Sequence, residues 1–395
     1  MIPLPSTIPV FLTWSIAILL AFIIGEYGFK WIKLPRISTY AIMGFILGHS
    51  QSGFLPKTHS DTVLLLINIA FGLILFEAGY RINMRWLRKN LWIGITSIAE
   101  ATLTFIAVYI LLLCFNMQTS TALLLSALSM ATSPATVVRV LHEQGSSGQV
   151  TERVLLLSTL NCILAVFCFK VIVAFMILKT SGSIWQASYV SLFALVLSMA
   201  LGGLLGIVIA ALVRSTKTTT HNMVFFAISI IFLVTLTHSL NLSPIMATLT
   251  FGLVSRHRRI ILNSSQRGFG TLGDLLSVLL FVFIATTLKW PHIIEGVGLG
   301  IALIVVRQLS KILGISIFAH VSGISWQKGL LVGFAMAPIS AFVILLLEQT
   351  HYLGINLVDK FSCLAVAVLI LEIIGPIMIQ TAVKLSHEVP DTKEY

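Results

Sequence analysis

Met130-Ala131-Thr132-Ser133-Pro134-Ala135-Thr136 interrupts an apolar run that extends from Ala122 to Val140. Proline lacks a backbone donor and its ring clashes with the preceding turn, so a helix through this run must break here. At bilayer depth the freed backbone groups need partners inside the protein or in a water-filled cavity. A second interruption of the same kind lies far downstream, at Ala335-Met336-Ala337-Pro338-Ile339-Ser340-Ala341. Two Pro-interrupted apolar segments, one in each half of a chain, are the pattern of a secondary transporter built from inverted repeats. Two kinked helices without a site are the plainer alternative, since prolines are tolerated in membrane helices.

Composition sets the class. Of 395 residues, 57% are hydrophobic and only 10% are charged, against about 25% charged in soluble domains. The apolar runs are about 20 residues long, which means membrane helices and not the alternating ten-residue strands of a barrel. The net charge of +11 is explained by Lys and Arg in cytoplasmic loops, and no nucleic-acid partner is expected. Cys114, Cys162, Cys168 and Cys363 all fall in apolar runs, where neither disulfides nor a zinc site is expected. The first apolar run, Ile8 to Ile32, has no basic leader and no small-residue cleavage site, and reads as a retained helix.

Hydropathy gives about thirteen spans, at roughly 8–32, 37–54, 62–80, 90–115, 119–142, 151–178, 188–213, 221–240, 243–256, 270–290, 293–319, 327–349 and 357–384. Loop charge alternates with this numbering. Odd loops carry Lys33 and Arg36, then Arg81, Arg85, Arg88 and Lys89, then Arg153, then Arg214 and Lys217, then Arg256, Arg258, Arg259 and Arg267, and last Lys328. Even loops carry only Lys57, Lys179, Lys289 and Lys360. The alternation places the amino terminus outside and the carboxyl terminus in the cytoplasm. Spans 1–6 then overlay spans 8–13 as inverted repeats of six, with span 7 as linker. The broken spans fall at the same position of each repeat. The expected architecture is one all-α transmembrane domain over residues 1–395. Spans 4–6 and 11–13 form an ion-translocating core, and spans 1–3 and 7–10 form a dimerising panel.

The chain resembles the monovalent cation:proton antiporter superfamily, with its sodium/proton exchanger domain, nearest to the bacterial Kef-like branch. The residues that carry the resemblance are Leu34-Pro35-Arg36, Gly44 through Gly48, Leu75-Phe76-Glu77-Ala78-Gly79 and Thr132-Ser133-Pro134-Ala135. They continue with Asn161-Cys162, Leu242-Ser243-Pro244 through Gly252, Arg307-Gln308-Leu309 and Gly333 through Pro338. Each motif is weak alone; their order and spacing are specific. The resemblance implies antiport of Na⁺ or K⁺ against protons by alternating access, a homodimer in a bacterial inner membrane, and no cofactor. It implies that the two broken helices cross near the midplane, with Thr132, Ser133 and Pro338 at the crossing. Asn161, Cys162 and Arg307 would face the ion, whose ligands stay open.

Three charges that relatives carry are missing. Cys162 stands where an Asp is usual, Ser133 where many have Asp, and Ile339-Ser340-Ala341 where Arg-Gly-Glu is frequent. Thiols are poor ligands for alkali cations, which prefer oxygen, and Cys162 reads equally as a packing residue. Arg307 at bilayer depth costs about 2.5–3.5 kcal/mol and needs a partner or an aqueous cavity. It can face the ion, offset the carboxyl ends of the broken helices, or both. Lys311, one turn on, is a candidate charge partner or a snorkelling side chain. Glu372 and Glu100 are the candidate proton carriers, with repeat symmetry favouring Glu372, and Lys170 is a candidate charge partner for either. No phosphate loop, nucleophile elbow or metal cluster is present, and an enzyme is not expected. Two alternatives stay open: an antiporter fold without exchange, serving as sensor or partner subunit, and a small-anion transporter.

Overall fold

The structure, a computed structural model, describes residues 10–49, 51–55, 61–82, 90–178, 184–215, 219–240, 242–258, 270–286, 290–339, 343 and 362–390. Among these residues every regular element is an α-helix. In chain order they are α1 Val10–Ile32, α2 Arg36–Leu47, α3 Asp61–Arg81, α4 Leu91–Cys114, α5 Thr119–Ser129, α6 Pro134–Glu143 and α7 Gln149–Leu178. There follow α8 Ile184–Ser215, α9 Thr219–Ser239, α10 Pro244–His257, α11 Gly270–Thr286, α12 Trp290–Ala319, α13 Trp326–Ala335 and α14 Ser362–Leu385. Seven described stretches are long and apolar enough to cross a membrane, by length and composition.

The break at Pro134 is where the sequence puts it. Helix α5 ends at Ser129, the chain runs extended through Ser133, and α6 starts on Pro134. Ser133 is the N-cap, its Oγ accepting from the Thr136 N–H at 3.2 Å, and proline occupies the first helical position where no donor is needed. Ser243-Pro244 repeats the device at the start of α10. The broken segment Thr119–Glu143 is also the most enclosed of the seven stretches, 94% buried, against 22% for α1. A polar break is tolerable there because protein surrounds it.

Helices α3, α8, α9 and α10 pack through small residues. A Cβ on Gly252 would lie 2.1 Å from the Phe76 carbonyl oxygen, and one on Gly202 would lie 2.0 Å from that of Ala247. Phe76, Phe226 and Phe251 fill the space beside this contact, with ring centroids 4.9 to 5.8 Å apart. Close backbone approach across small residues is the main source of helix association in lipid. Gly252→Leu should therefore lower the unfolding temperature sharply, by overpacking worth about 1–3 kcal/mol or more. A thermal melt of the detergent-solubilised variant checks this, and an unchanged melt would contradict the packing described.

Two segments differ from expectation. The span expected over 37–54 is helical only to Leu47. Gly48 and Gly53, the latter at φ +70°, turn the chain so that the Leu55 N–H reaches the Leu47 carbonyl at 3.0 Å. The tail after Lys384 is polar but is not free. Glu388 is buried and accepts from the N–H groups of Val150 and Thr151, each at 2.8 Å, and from the Thr151 hydroxyl at 2.9 Å. A carboxylate on the exposed donors of a helix amino terminus is favourable through both hydrogen bonds and the helix dipole. The expected loop cations Lys57, Arg85, Arg88, Lys89, Lys179, Lys217, Arg259, Arg267, Lys289 and Lys360 lie outside the described residues, as does the second half of the span expected at 327–349.

Candidate functional site

The two breaks meet. The Ser133 N–H donates to the Pro338 carbonyl at 3.0 Å, and the Thr132 hydroxyl donates to the Met336 carbonyl at 3.4 Å. Both α5 and α13 point their carboxyl ends at this crossing, so it collects main-chain carbonyls without helical donors. Arg307 of α12 answers that need. Its Nε donates to Ser129 O at 2.8 Å, Nη1 to Ala337 O at 2.6 Å, and Nη2 to Ala131 O at 2.7 Å and Pro338 O at 3.4 Å. The side chain is fully buried. A planar cation that bonds the ends of two half-helices at once offsets both negative dipole ends and fixes their crossing. Neighbouring Gln308 donates to the carbonyls of Gly333 and Phe334, the last turn of α13.

A buried polar chain runs beside the crossing. Ser97 Oγ donates to Asn161 Oδ1 at 2.9 Å. Asn161 Nδ2 donates to Glu100 Oε2, and Lys311 Nζ is bonded to Glu100 Oε1 and to the carbonyl of Met130. Thr104 Oγ1 adds a longer contact to Glu100 at 3.4 Å. Asn161, Glu100 and Lys311 are all at 0% exposure. Three elements supply the chain: α4, α7 and α12. Gly314 makes the meeting of α4 and α12 possible, because a Cβ there would lie 2.7 Å from the Glu100 Cα. One turn back, Lys311 is thereby brought against the carboxylate. It does not snorkel: a short distance to an acid inside the protein replaces the long reach to the surface.

The geometry is that of a polar, charge-paired centre at a helix crossing inside a membrane domain. The family described as sodium/hydrogen exchanger, transmembrane, matches residues 16–385. The chain belongs to the sodium/hydrogen exchanger family. The fold is also that of the sodium proton antiporter MjNhaP1 from Methanocaldococcus jannaschii. A structure of that antiporter at pH 8 superposes with a TM-score of 0.65 at 17% identity, covering 95% of each chain. Its electron-microscopy structure gives 0.68 at 18% identity and 96% of each chain. Comparison with curated proteins by sequence gave no match.

The exchanger places its other expected site residues as follows. Cys162 is fully enclosed within the apolar cluster of the core, next in sequence to Asn161 but outside the polar chain. Lys170 lies further along α7, half-buried, and pairs with neither Glu100 nor Glu372. Glu372 of α14 is buried at 2% exposure, and neither of its carboxylate oxygens has a hydrogen-bond partner. Ser340 and Ala341, expected in the second break, lie outside the described residues. Glu100 and Lys311 are each candidates in the sequence, but their pairing with each other is not assigned there. Its signal was the spacing of Arg307 and Lys311, four apart on one helical face, with Gly314 on the next turn. At the rim of the same region, Arg36 of α2 binds Glu26 through Nε at 2.7 Å and Nη2 at 2.9 Å. It also reaches Glu143, the last residue of α6, at 3.3 Å.

This placement makes a prediction for Cys162→Ser. A hydroxyl in an apolar cluster costs about 1–3 kcal/mol if it finds no partner, and it removes no group of the polar chain. Exchange should persist with a lower unfolding temperature. Loss of exchange at unchanged stability, measured on the same preparation, would make the thiol itself part of the chemistry.

Proposed function

We propose that this exchanger is a secondary active transporter that swaps Na⁺ or K⁺ for protons by alternating access in a bacterial inner membrane. One observation carries the reading: Glu100, a buried carboxylate paired with Lys311, is held by Asn161 beside two broken helices. Oxygen is the donor an alkali cation prefers, and Glu100 supplies it although Cys162 does not. A cation arriving at Glu100 replaces the Lys311 ammonium as its counter-charge. The ammonium gives up one proton and remains as the amine. One positive charge enters the site and one leaves, which is the stoichiometry of an exchanger at a single centre.

The moving parts are α4 to α7 with α12 to α14, which meet at the crossing. The helices α1 to α3 with α8 to α11 form the panel against which they shift, and through which two copies dimerise. The two halves are inverted repeats, and the broken segments are their equivalent members. A small-anion reading is less well served, because Arg307 spends four N–H groups on main-chain carbonyls, out of five available.

Purified protein in weakly buffered detergent solution tests the exchange step. Added Na⁺, K⁺ or Li⁺ should release protons and raise the unfolding temperature, while choline should do neither. A cation that stabilises the protein without releasing protons would refute a shared site. The orientation has its own test. Single cysteines placed between Arg256 and Arg267 should react with impermeant reagents only from the cytoplasmic side; labelling from outside would invert the topology.

A further inference from the structure

Glu372 is unlike the other buried acids. Glu100 has Lys311 and Asn161, and Glu388 has a helix amino terminus. Glu372 lies in the interior of a membrane helix with both oxygens unpartnered. The described charged and titratable side chains on the helices packed against α14 are Arg307 and Lys311 of α12, Arg36 and Tyr40 of α2, Lys328 of α13, and Arg139, His142 and Glu143 of α6. None of them bonds to Glu372. On α14 itself, Cys363 and Lys384 are more than two turns away. Among the described residues nothing offsets the loss of water at this carboxyl, and a buried charge without a partner is costly.

Its position is also specific. Pro376 lies four residues on, inside the helix, and supplies no N–H to the Glu372 carbonyl. The next carbonyl, that of Ile373, is taken by the Ser38 hydroxyl of α2 at 2.7 Å. Three residues on from Glu372, Gly375 packs against Pro338 so closely that a Cβ would lie 2.8 Å from the proline Cγ. Residues three apart share a helical face, so Glu372 lies one turn from the crossing, on the side that meets the second break. Both carboxyl oxygens and a main-chain carbonyl without its helical donor are offered there, beside an element that the transport cycle must move.

We propose that Glu372 is a second ion-exchange carboxyl, distinct from the Glu100–Lys311 centre. In the conformation seen it carries a proton, and an alkali cation takes that proton's place on its oxygens. Glu100 keeps Lys311 while this happens. The proposal rests on the reading of the chain as a cation:proton exchanger.

A hydrophobic carbodiimide tests it on the natural full-length chain. The reagent needs a protonated carboxyl: the acid proton goes to a carbodiimide nitrogen and the carboxylate oxygen bonds to the central carbon. Transfer of the acyl group to nitrogen then leaves a stable acylurea, which peptide mass spectrometry locates. Modification is expected at Glu372 and not at Glu100. It should fall several-fold as Na⁺ or K⁺ is raised against a choline control, and again as the pH is raised. No modification at Glu372 at any pH, or modification indifferent to alkali cations, would overturn the proposal. The second arm is Glu372→Gln, which keeps the shape of the neutral acid and should melt no lower than the natural protein. It should release about one proton fewer per chain when saturating cation is added; an unchanged release overturns the proposal as well. Protection of Glu372 by cations in a protein that moves no protons across vesicles would sink the exchanger reading and leave this site standing. Robust exchange with Glu372 unmodified and unprotected would do the reverse.

Discussion

Replacing Arg307 by Ala is expected to abolish the folded protein as well as its transport. The guanidinium is fully buried and holds carbonyls at the ends of two half-helices, with contacts to Ser129, Ala131, Ala337 and Pro338. Its removal takes this donor from the carbonyls of Ser129, Ala131 and Ala337 in a site sealed from water, while Pro338 keeps the Ser133 N–H. Each unsatisfied buried group costs about 1–3 kcal/mol. Three of them are comparable with much of the whole stability of a typical protein, about 5–15 kcal/mol. Arg307→Lys separates geometry from charge: an ammonium restores the cation but not a planar fork with donors in fixed directions. It should recover part of the unfolding temperature and little of the exchange. Fluorescence-detected size exclusion after a temperature ramp reads both variants. A well-folded Arg307→Ala protein would show that the crossing is held by something else.

The second large effect concerns Glu100 and Lys311. Breaking a buried pair by removing one partner costs about 3–5 kcal/mol, because the remaining charge is stranded. Glu100→Gln and Lys311→Met should each reduce stability by that order and eliminate exchange. The double variant removes both charges. Replacement of a buried pair by neutral residues of similar volume is often close to neutral or better, so its unfolding temperature should return near that of the natural protein. Exchange should not return. A double-mutant cycle on thermal stability, with flux measured on the same four proteins, tests both halves of this statement. Additive single effects would mean that the pair is not coupled. Transport by the charge-free double variant would mean that the pair is scaffolding, with the exchange chemistry elsewhere.

Much of this centre was legible in the chain because its causes are local. Pro134 and Pro338 announce broken helices wherever they occur in apolar runs. Arg307 is equally plain, since an arginine in hydrocarbon has to be answered by something. The compensation of the half-helix ends, one of its two expected roles, is where its donors are found. The pairing of Glu100 was not legible. Lys170 and Lys311 were both within imaginable reach, and the choice depends on how closely α12 approaches α4. Gly314 decides it, by allowing a contact that any side chain would block. No periodicity records a contact between helices so far apart in sequence. Glu388 was missed for a related reason: a polar tail reads as solvated until the amino terminus it caps is known.

The departures from family pattern now have particular substitutes. Ser133 stands where an Asp is frequent, and it still caps α6 through the Thr136 N–H. Cys162 stands where an acid is usual, while Asn161 beside it reaches across to an acid on another helix. In the proposed function, the carboxylate of α4 serves in place of that usual acid. This relocation is the reason to regard the chain as a working exchanger and not as a fold that has lost its chemistry.

The most direct test is flux. The purified protein is reconstituted into sealed vesicles with a trapped pH dye, and Na⁺, K⁺, Li⁺ or choline is added outside. An alkali cation should drive proton movement that choline does not, and the effect should vanish in Glu100→Gln. Vesicles of folded protein that move no protons with any of the three cations would contradict the account.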